Sequence, residues 1–153
     1  MKKIIIGALI AFISLTGCSG WKNSTGLLGV KMANEQLAKD NSPVRYTSTE
    51  SEYGISSQPY LLGKIAPSVA DGVLKQDVLK LIMQKEGTPD IKLVQTRFLN
   101  KKVNPFTVYE IWIIKREDNN DLHAYTIKLT NSPQGGVDII LLGAAIVYEN
   151  MLN

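Results

Sequence analysis

The spacing of hydrophobic positions changes once along this chain, from the period of a helix to the period of a strand. Between Asp71 and Glu86 the apolar residues recur at i, i+4, i+7 and i+8, which is one face of an α-helix: Leu74, Val78, Leu81 and Ile82. The Asp71 carboxylate is placed to accept hydrogen bonds from the first free amides. Gly87 suits a left-handed helix end, and Pro89 prevents continuation. This pattern predicts one main helix over 71–86.

After the helix, apolar and polar residues alternate with the period of two that strands require. Four segments have this character: 91–99, 106–115, 123–129 and 137–142. The second of them is apolar on both faces, which is typical of a strand in the middle of a sheet. Short polar connections join successive strands, and such connections favour an antiparallel meander.

The alternation also predicts the direction of individual side chains. One face of the first strand holds Val94, Thr96 and Phe98. In the third strand the inward positions are Tyr125, Ile127 and Leu129, and the outward positions are Ala124, Thr126 and Lys128. Because one helix covers only one face of the central strand, the other face needs the N-terminal segment, residues 144–152 or a partner. Residues 144–152 fit either a short final helix or a continued strand.

The N-terminal half of the chain has a weaker pattern. Ser19–Gly29 is rich in Gly, Ser, Thr and Asn and is predicted to be a flexible lead. Leu27–Lys39 contains good helix formers with a thin apolar stripe, which predicts a short helix that ends before Pro43. Val44–Pro67 has no regular period, and we interpret it as an extended strap laid over the domain or as a disordered segment.

The extreme N-terminus combines a positive start with a short apolar run that ends at the only cysteine. Lys2 and Lys3 precede Ile4–Leu15, a run with the length of a secretory signal and short for a bilayer span. The run closes in Leu15-Thr16-Gly17-Cys18. This stretch resembles the lipobox of bacterial lipoproteins.

The resemblance implies that the Cys18 thiol receives a diacylglyceryl group, that the signal is cut between Gly17 and Cys18, and that the new amine is acylated. A thiolate is the nucleophile that such a reaction requires, and two or three acyl chains give stable membrane attachment. Ser19 and Gly20 stand where an Asp in that family commonly signals retention at the inner membrane, so the resemblance implies the outer membrane. The alternatives are an ordinary signal peptide with an incidental cysteine and an uncleaved N-terminal helix.

The predicted fold class is α+β: one main helix packed on a four-stranded antiparallel meander, with a flexible N-terminal tether and possible short terminal helices. The chain divides into a signal peptide (1–17), a lipidated cysteine with tether and irregular strap (18–70), and a small α+β domain (71–153). The length after the signal is enough for one modest core.

Charge and composition exclude several classes of function. The formal charge of +3 includes Lys2 and Lys3; without them the 17 basic residues become 15 against 14 acidic ones, which leaves +1. A near-neutral protein does not favour nucleic acid as a partner. No nucleotide-binding, zinc-protease or paired-cysteine motif occurs. We expect no small-molecule substrate, and no cofactor besides the covalent acyl groups on Cys18.

Two features are candidate sites of chemistry. His123, the single histidine, begins a strand beside an acidic turn; a triad with Ser132 is the alternative to an ordinary half-buried strand histidine. The oxygens of Asp118–Asp121 suit calcium but lack the spacing of an EF-hand loop, which favours an ordinary turn. We predict no catalytic residues and no metal ligands.

Aromatic residues outside the predicted core are the candidates for an interaction surface. Trp21, three residues after Cys18, can rest at the headgroup level or pack on the domain. Tyr46, Tyr53 and Tyr60 lie in the segment without regular period, where they form either a docking strap or a cover for the core.

The helix that ends in Gly87-Thr88-Pro89, followed by a strand with Trp112, resembles the small outer-membrane assembly lipoproteins of the SmpA/OmlA type, which have the BamE-like fold. Val78 also matches the valine in the helix of that family. Glu86 departs from it, because the family has an apolar residue before the glycine. The resemblance implies a non-catalytic scaffold that binds envelope proteins and lipid without a cofactor.

These observations lead to a first hypothesis of a binding or scaffold lipoprotein of the bacterial outer membrane, facing the periplasm. Its partners would be the membrane, through the lipid anchor, and an envelope protein. A second hypothesis is an inhibitor, immunity or plasmid-type exclusion lipoprotein, which the small size fits equally well. A third is a hydrolase that works through His123.

Overall fold

The computed structural model of the protein describes residues 19–99 and 107–153, with side chains from Thr25 onward. The fold of the described residues is α+β, as predicted. It has two α-helices and two antiparallel sheets, one of five strands and one of two, where one main helix, possible short helices and a single four-stranded sheet were predicted. In chain order the elements are α1 (Ser19–Lys39), β1 (Val44–Ser51), β2 (Gly54–Leu61), β3 (Lys64–Ile65), α2 (Gly72–Glu86), β4 (Ile91–Leu99), β5 (Thr107–Arg116), β6 (Leu122–Asn131), β7 (Val137–Val147) and a 3₁₀ helix (Glu149–Met151).

The main sheet has five strands in the order β3-β4-β5-β6-β7, with every neighbouring pair antiparallel. The predicted meander is therefore confirmed for its four long strands, and the apolar strand β5 lies in the middle as expected. The two-residue strand β3 was missed because it is too short to show a period. β7 continues to Val147 and a 3₁₀ helix follows, so both alternatives for residues 144–152 are realised in part.

The predicted main helix is confirmed as α2. Gly87 ends it in the left-handed conformation, with φ of 70° and its amide donating to the Met83 carbonyl at 2.9 Å. Asp71 is the N-cap residue, and its backbone carbonyl accepts the first helical bond, from the Lys75 amide, but its carboxylate makes no capping hydrogen bond, so that part of the prediction is wrong. Val78 and Ile82 are fully buried against one face of the sheet.

The other face of the sheet is covered by the chain itself. Val44 and Leu61 at the start of β1 and the end of β2 pack with Met151 against Ile111 and Ile113. Because both faces are covered, the prediction that Ala124, Thr126 and Lys128 point outward is wrong for the first two, whose side chains are buried. Burial on both faces hides the alternation that a half-exposed strand would show.

A β-bulge interrupts the predicted alternation in β4. The register with β5 shifts between Leu93 and Gln95, which leaves Val94 as the extra residue. Leu93 therefore packs on the α2 side of the sheet, while Leu99 packs on the opposite side. The polar connection predicted between the first two long strands falls on residues 100–106, which lie outside the described residues.

The N-terminal half differs most from expectation. The helix predicted over 27–39 is confirmed, but α1 begins at Ser19, so the prediction of a flexible lead over Ser19–Gly29 is wrong. The predicted strap is a regular two-stranded hairpin of β1 and β2. We call α1 and this hairpin the arm. None of the described helices has the length and apolar character to cross a membrane.

Candidate functional site

The arm is held together by a polar contact that acts like strand pairing. The Tyr46 amide donates to Asn34 Oδ1 at 2.8 Å, and Asn34 Nδ2 donates to the Tyr46 carbonyl at 2.8 Å. Asn34 thus satisfies both backbone groups of one residue on the outer edge of β1. Opposite Tyr46 in the hairpin stands Pro59, and because the backbone groups of this pair point away from the partner strand, its missing amide hydrogen costs no bond between β1 and β2.

A second contact brings α1 close to β2. A Cβ atom built on Gly26 would lie 3.0 Å from Ile55 Cδ1, so only a residue without a side chain permits this approach easily. Between the two contacts an open groove of about 430 Å³ runs along α1 and β1. Its lining consists of Leu27, Val30, Lys31, Asn34, Glu35, Ala38, Tyr46 and Ser48.

The three predicted interaction tyrosines do not form one patch. Tyr46 lines the groove beneath α1. Tyr60 pairs with Arg45, one position along, and therefore lies on the opposite face of the hairpin. Tyr53 is at the hairpin tip, where 92% of its surface is exposed. Trp21 lies in the first turn of α1, whereas Gly17 and Cys18 lie outside the described residues.

A polar cluster joins the end of α2 to the sheet through Glu86, whose side chain is only 3% exposed. Its Oε1 contacts His123 Nδ1 at 2.6 Å and accepts a hydrogen bond from the Tyr125 hydroxyl. Its Oε2 accepts from Arg116 Nη1 at 3.2 Å, and Arg116 Nε also donates to Asp118 at 3.0 Å. Glu86 therefore joins His123, Tyr125 and Arg116 in one network.

The contacts of the cluster shift the pKa of three of its groups, Arg116, Asp118 and Tyr125. The hydrogen bond with Asp118, helped by the charge of Glu86, raises the pKa of Arg116. The same hydrogen bond lowers the pKa of Asp118. Burial first, and the hydrogen bond to Glu86 second, raise the pKa of Tyr125, so its hydroxyl stays protonated near neutral pH. The arrangement suits a structural clamp, because Glu86 at the end of α2 is bound by side chains of β5 and β6.

The structure does not bring together His123 and Ser132, the residues of the candidate catalytic triad. His123 lies near the start of β6 and Ser132 follows its end, a distance of about 30 Å at the rise of an extended strand. The side chain of His123 is 19% exposed, as expected for a half-buried strand histidine. In the neighbouring turn, Asp121 bonds with Asn119 and Asp118 bonds with Arg116. Across residues 19–99 and 107–153 no group of three acidic, His or Cys residues could hold a metal ion.

A second buried carboxylate, Glu110, was missed by the sequence reasoning. It accepts from Trp112 Nε1 at 2.8 Å, from Ser68 Oγ at 2.5 Å and from the Val69 amide at 2.7 Å. These bonds fix the segment before α2 onto the sheet. The sequence feature that could have revealed Glu110 is an acidic residue inside a strand that is apolar on both faces. For Glu86 the corresponding feature is its departure from the family pattern.

The last feature is the free edge of β7. No described strand pairs with its outer side, although it is 11 residues long and carries one charge, Asp138. Ile140 and Ile146 are 46% and 64% exposed. The other described edges are shorter or obstructed, because β3 has two residues, β1 is bound by Asn34, and β2 contains Pro59. A long apolar edge of this kind is a template for strand addition.

No protein-family model, curated protein or solved structure matches the chain. The resemblances to the lipobox and to the SmpA/OmlA type therefore remain predictions from the sequence.

Proposed function

We propose that this protein is an outer-membrane lipoprotein that acts as a non-catalytic binding or scaffold factor in envelope assembly or maintenance, held at the periplasmic face by acyl groups on Cys18. The observation that carries the binding role is the free apolar edge of β7. The polar clusters at Glu86 and Glu110 support it, because their groups are engaged in holding helices and loops to the sheet.

The anchor rests on the lipobox and is consistent with the position of α1. Ser19 begins the helix directly after Cys18. Acyl chains on Cys18 would therefore attach the membrane to the end of the arm without an intervening loop. Metabolic labelling with a clickable palmitate, comparing the wild type with Cys18→Ala, tests this step. An unlabelled wild type would remove the anchor from the proposal.

The partner in this proposal is an envelope protein that adds a strand to β7. Main-chain hydrogen bonds to an exposed edge give affinity, and side-chain pockets give specificity. Ile140 and Ile146 are the exposed apolar residues that would lie at such an interface.

Site-specific photo-crosslinking in intact cells tests the partner. A photoreactive residue at 140 or 146 is expected to capture a discrete envelope protein, whereas one at Gln84, on the exposed side of α2, is not. The double variant Ile140→Lys/Ile146→Lys should abolish capture from neighbouring edge positions, because charges on an edge oppose strand addition. Equal capture at 84 would contradict an edge interface. Capture of a toxin or a conjugation component would instead favour the inhibitor, immunity or exclusion role.

A further inference from the structure

We propose that the tip of the β1–β2 hairpin makes a second contact with the membrane, beside the N-terminus of α1, and that Tyr53 enters the zwitterionic lipid headgroup layer there. The inference rests on the proposed acylation of Cys18 and adds a contact that the anchor alone does not require.

Two contacts fix the direction of α1 relative to the hairpin. Gly26 lies against Ile55, and Asn34 binds Tyr46. From Gly26 to Asn34 the helix rises about 12 Å at 1.5 Å per residue. Ile55 pairs with Glu50, which is four residues from Tyr46, or about 13 Å along the strand. Because the distance along α1 and the distance along β1 agree, α1 lies along the hairpin with its N-terminus toward the tip.

The same arithmetic places the tip at the level of the first turn of α1. Tyr53 lies two residues beyond Ile55, which is about 7 Å further along the hairpin. The same distance back along α1 from Gly26 spans about five residues and reaches Trp21. Ser19, the neighbour of Cys18, lies about one helical turn or less beyond that level. The lipid-bearing end of α1 and the tip therefore lie at one end of the arm.

The chemistry of the tip suits a headgroup layer. Tyr53 is 92% exposed, and tyrosine has an apolar ring with a polar end, a combination that is favoured at membrane interfaces. The acidic residues Glu50 and Glu52 shortly precede it in the hairpin. An anionic surface would repel them, so the occupant that fits is a zwitterionic headgroup rather than an anionic one.

A second contact would limit how the protein turns about its anchor. The base of the hairpin, at Val44 and Leu61, packs on Ile111 and Ile113 of the sheet, at the end of the arm away from the tip. With the tip at the bilayer, α1 spans about 30 Å and holds the sheet toward the periplasmic space. The free edge of β7 would then be presented away from the lipid surface.

The test uses the full acylated protein in phosphatidylcholine vesicles. Acylation blocks the sulfur of Cys18, so Tyr53→Cys provides the one thiol that can carry an environment-sensitive fluorophore. The matched control is Tyr148→Cys, an exposed tyrosine that follows β7. We expect the label at 53, and not at 148, to shift to the blue and to lose several-fold in its quenching by iodide. Vesicles rich in phosphatidylglycerol should reverse most of the change at 53, and adding Glu52→Lys should restore it.

Mass spectrometry of the same sample separates the two proposals. A label at 53 that stays as accessible as the one at 148, on a protein with acyl chains on Cys18, overturns the tip contact and leaves the anchor standing. Absence of acyl chains overturns both. A label at 53 that is shielded equally without vesicles would also overturn the proposal, because a protein contact would then explain it.

Discussion

The arm and the five-stranded sheet are stabilised in different ways. In the sheet, four successive residues of β5, Ile111 to Ile114, have no exposed surface. In the described part of the arm, by contrast, no side chain among residues 25–39 and 45–60 is buried. The arm is held by backbone pairing within the hairpin, by Asn34 and by the close approach at Gly26. The sheet is held by apolar burial on both faces.

This difference matters for function as well as for folding. A body built on apolar burial unfolds as a cooperative unit, whereas a region with exposed hydrogen bonds and few buried side chains opens at a lower free energy. In the proposals above, the arm contacts the membrane and the sheet presents the edge of β7. The variants below test whether the two regions are as separable as their packing indicates.

The largest loss is expected from Trp112→Ala. Trp112 is fully buried beneath α2 with Val78 and Ile82, and its indole donates to Glu110. Removing a buried aromatic ring from a core typically lowers the free energy of unfolding by about 3–5 kcal/mol. Urea unfolding followed by circular dichroism measures it. Trp112→Phe keeps an aromatic ring at this position and should lower the free energy of unfolding clearly less than Trp112→Ala. An alanine variant as stable as the wild type would contradict a core at this position.

Glu86→Ala tests the clamp between α2 and the sheet. It leaves Arg116, His123 and Tyr125 without their shared acceptor, and the free energy of unfolding should fall by about 2 kcal/mol. The value is below that for a fully buried ion pair because Arg116 is partly solvated. Lys85→Ala, one residue away and exposed, is the control and should change stability little. Equal effects of the two substitutions would show that the cluster is not stabilising.

Alanine substitutions at two glycines test the comparison between the arm and the sheet, because they should change the free energy of unfolding in opposite directions. A Cβ at Gly143 would lie 2.5 Å from the Asn41 carbonyl oxygen and 2.6 Å from that of Asp40, where the chain leaving α1 crosses β7. Gly143→Ala should therefore destabilise by about 1–3 kcal/mol. A Cβ at Gly29 in α1 would meet nothing within 4 Å, and Gly29→Ala should stabilise the helix by about 0.5–1 kcal/mol. Urea unfolding measures both changes; a Gly143→Ala variant as stable as the wild type would contradict the crossing at Gly143.

A pH dependence follows from the raised pKa of Tyr125. Because the folded state favours the neutral phenol, its contribution to stability is complete below the ordinary pKa of 10.0 and is lost as the pH rises from there toward the folded pKa. Tyr125→Phe should lose about 1 kcal/mol near neutral pH. The difference in free energy of unfolding between wild type and variant should stay constant up to about pH 9 and shrink as the pH rises from about 10 to about 11. The two proteins differ only at this hydroxyl, so a constant difference across that range would contradict its burial.

The same contrast explains which elements the sequence could predict. Helix α2 and the long strands were found because Leu74, Val78 and Ile82 sit at the helical spacing and the strands have apolar faces. Strand β1 and strand β2 have Ser and Thr on both faces, so no alternation marks them. The start of α1 was missed because Gly, Ser, Thr and Asn are poor helix formers, and the contacts that compensate come from a hairpin 12 residues or more away.

The sequence alone reveals the polar clusters at Glu86 and Glu110 only in part. Glu86 and Glu110 are charges at positions where an apolar residue is expected, and that much can be read from the sequence. Their partners cannot, because Ser68 is 42 residues from Glu110 and Tyr125 is 39 residues from Glu86. Such pairs depend on the register of the sheet and on the angle of α2, neither of which leaves a local pattern.

The smallest expected effect, and the most direct test of separability, is that of Asn34→Ala. It removes both hydrogen bonds between α1 and β1, but water can replace them at this exposed edge, so about 1 kcal/mol or less is expected. The Tyr46 amide should exchange its hydrogen about fivefold faster, while the amide of Ile113 keeps its rate. Asn34→Asp, which retains the acceptor for the Tyr46 amide, should have a smaller effect. If the Ile113 amide accelerates as much as the Tyr46 amide, the arm and the sheet open as one unit.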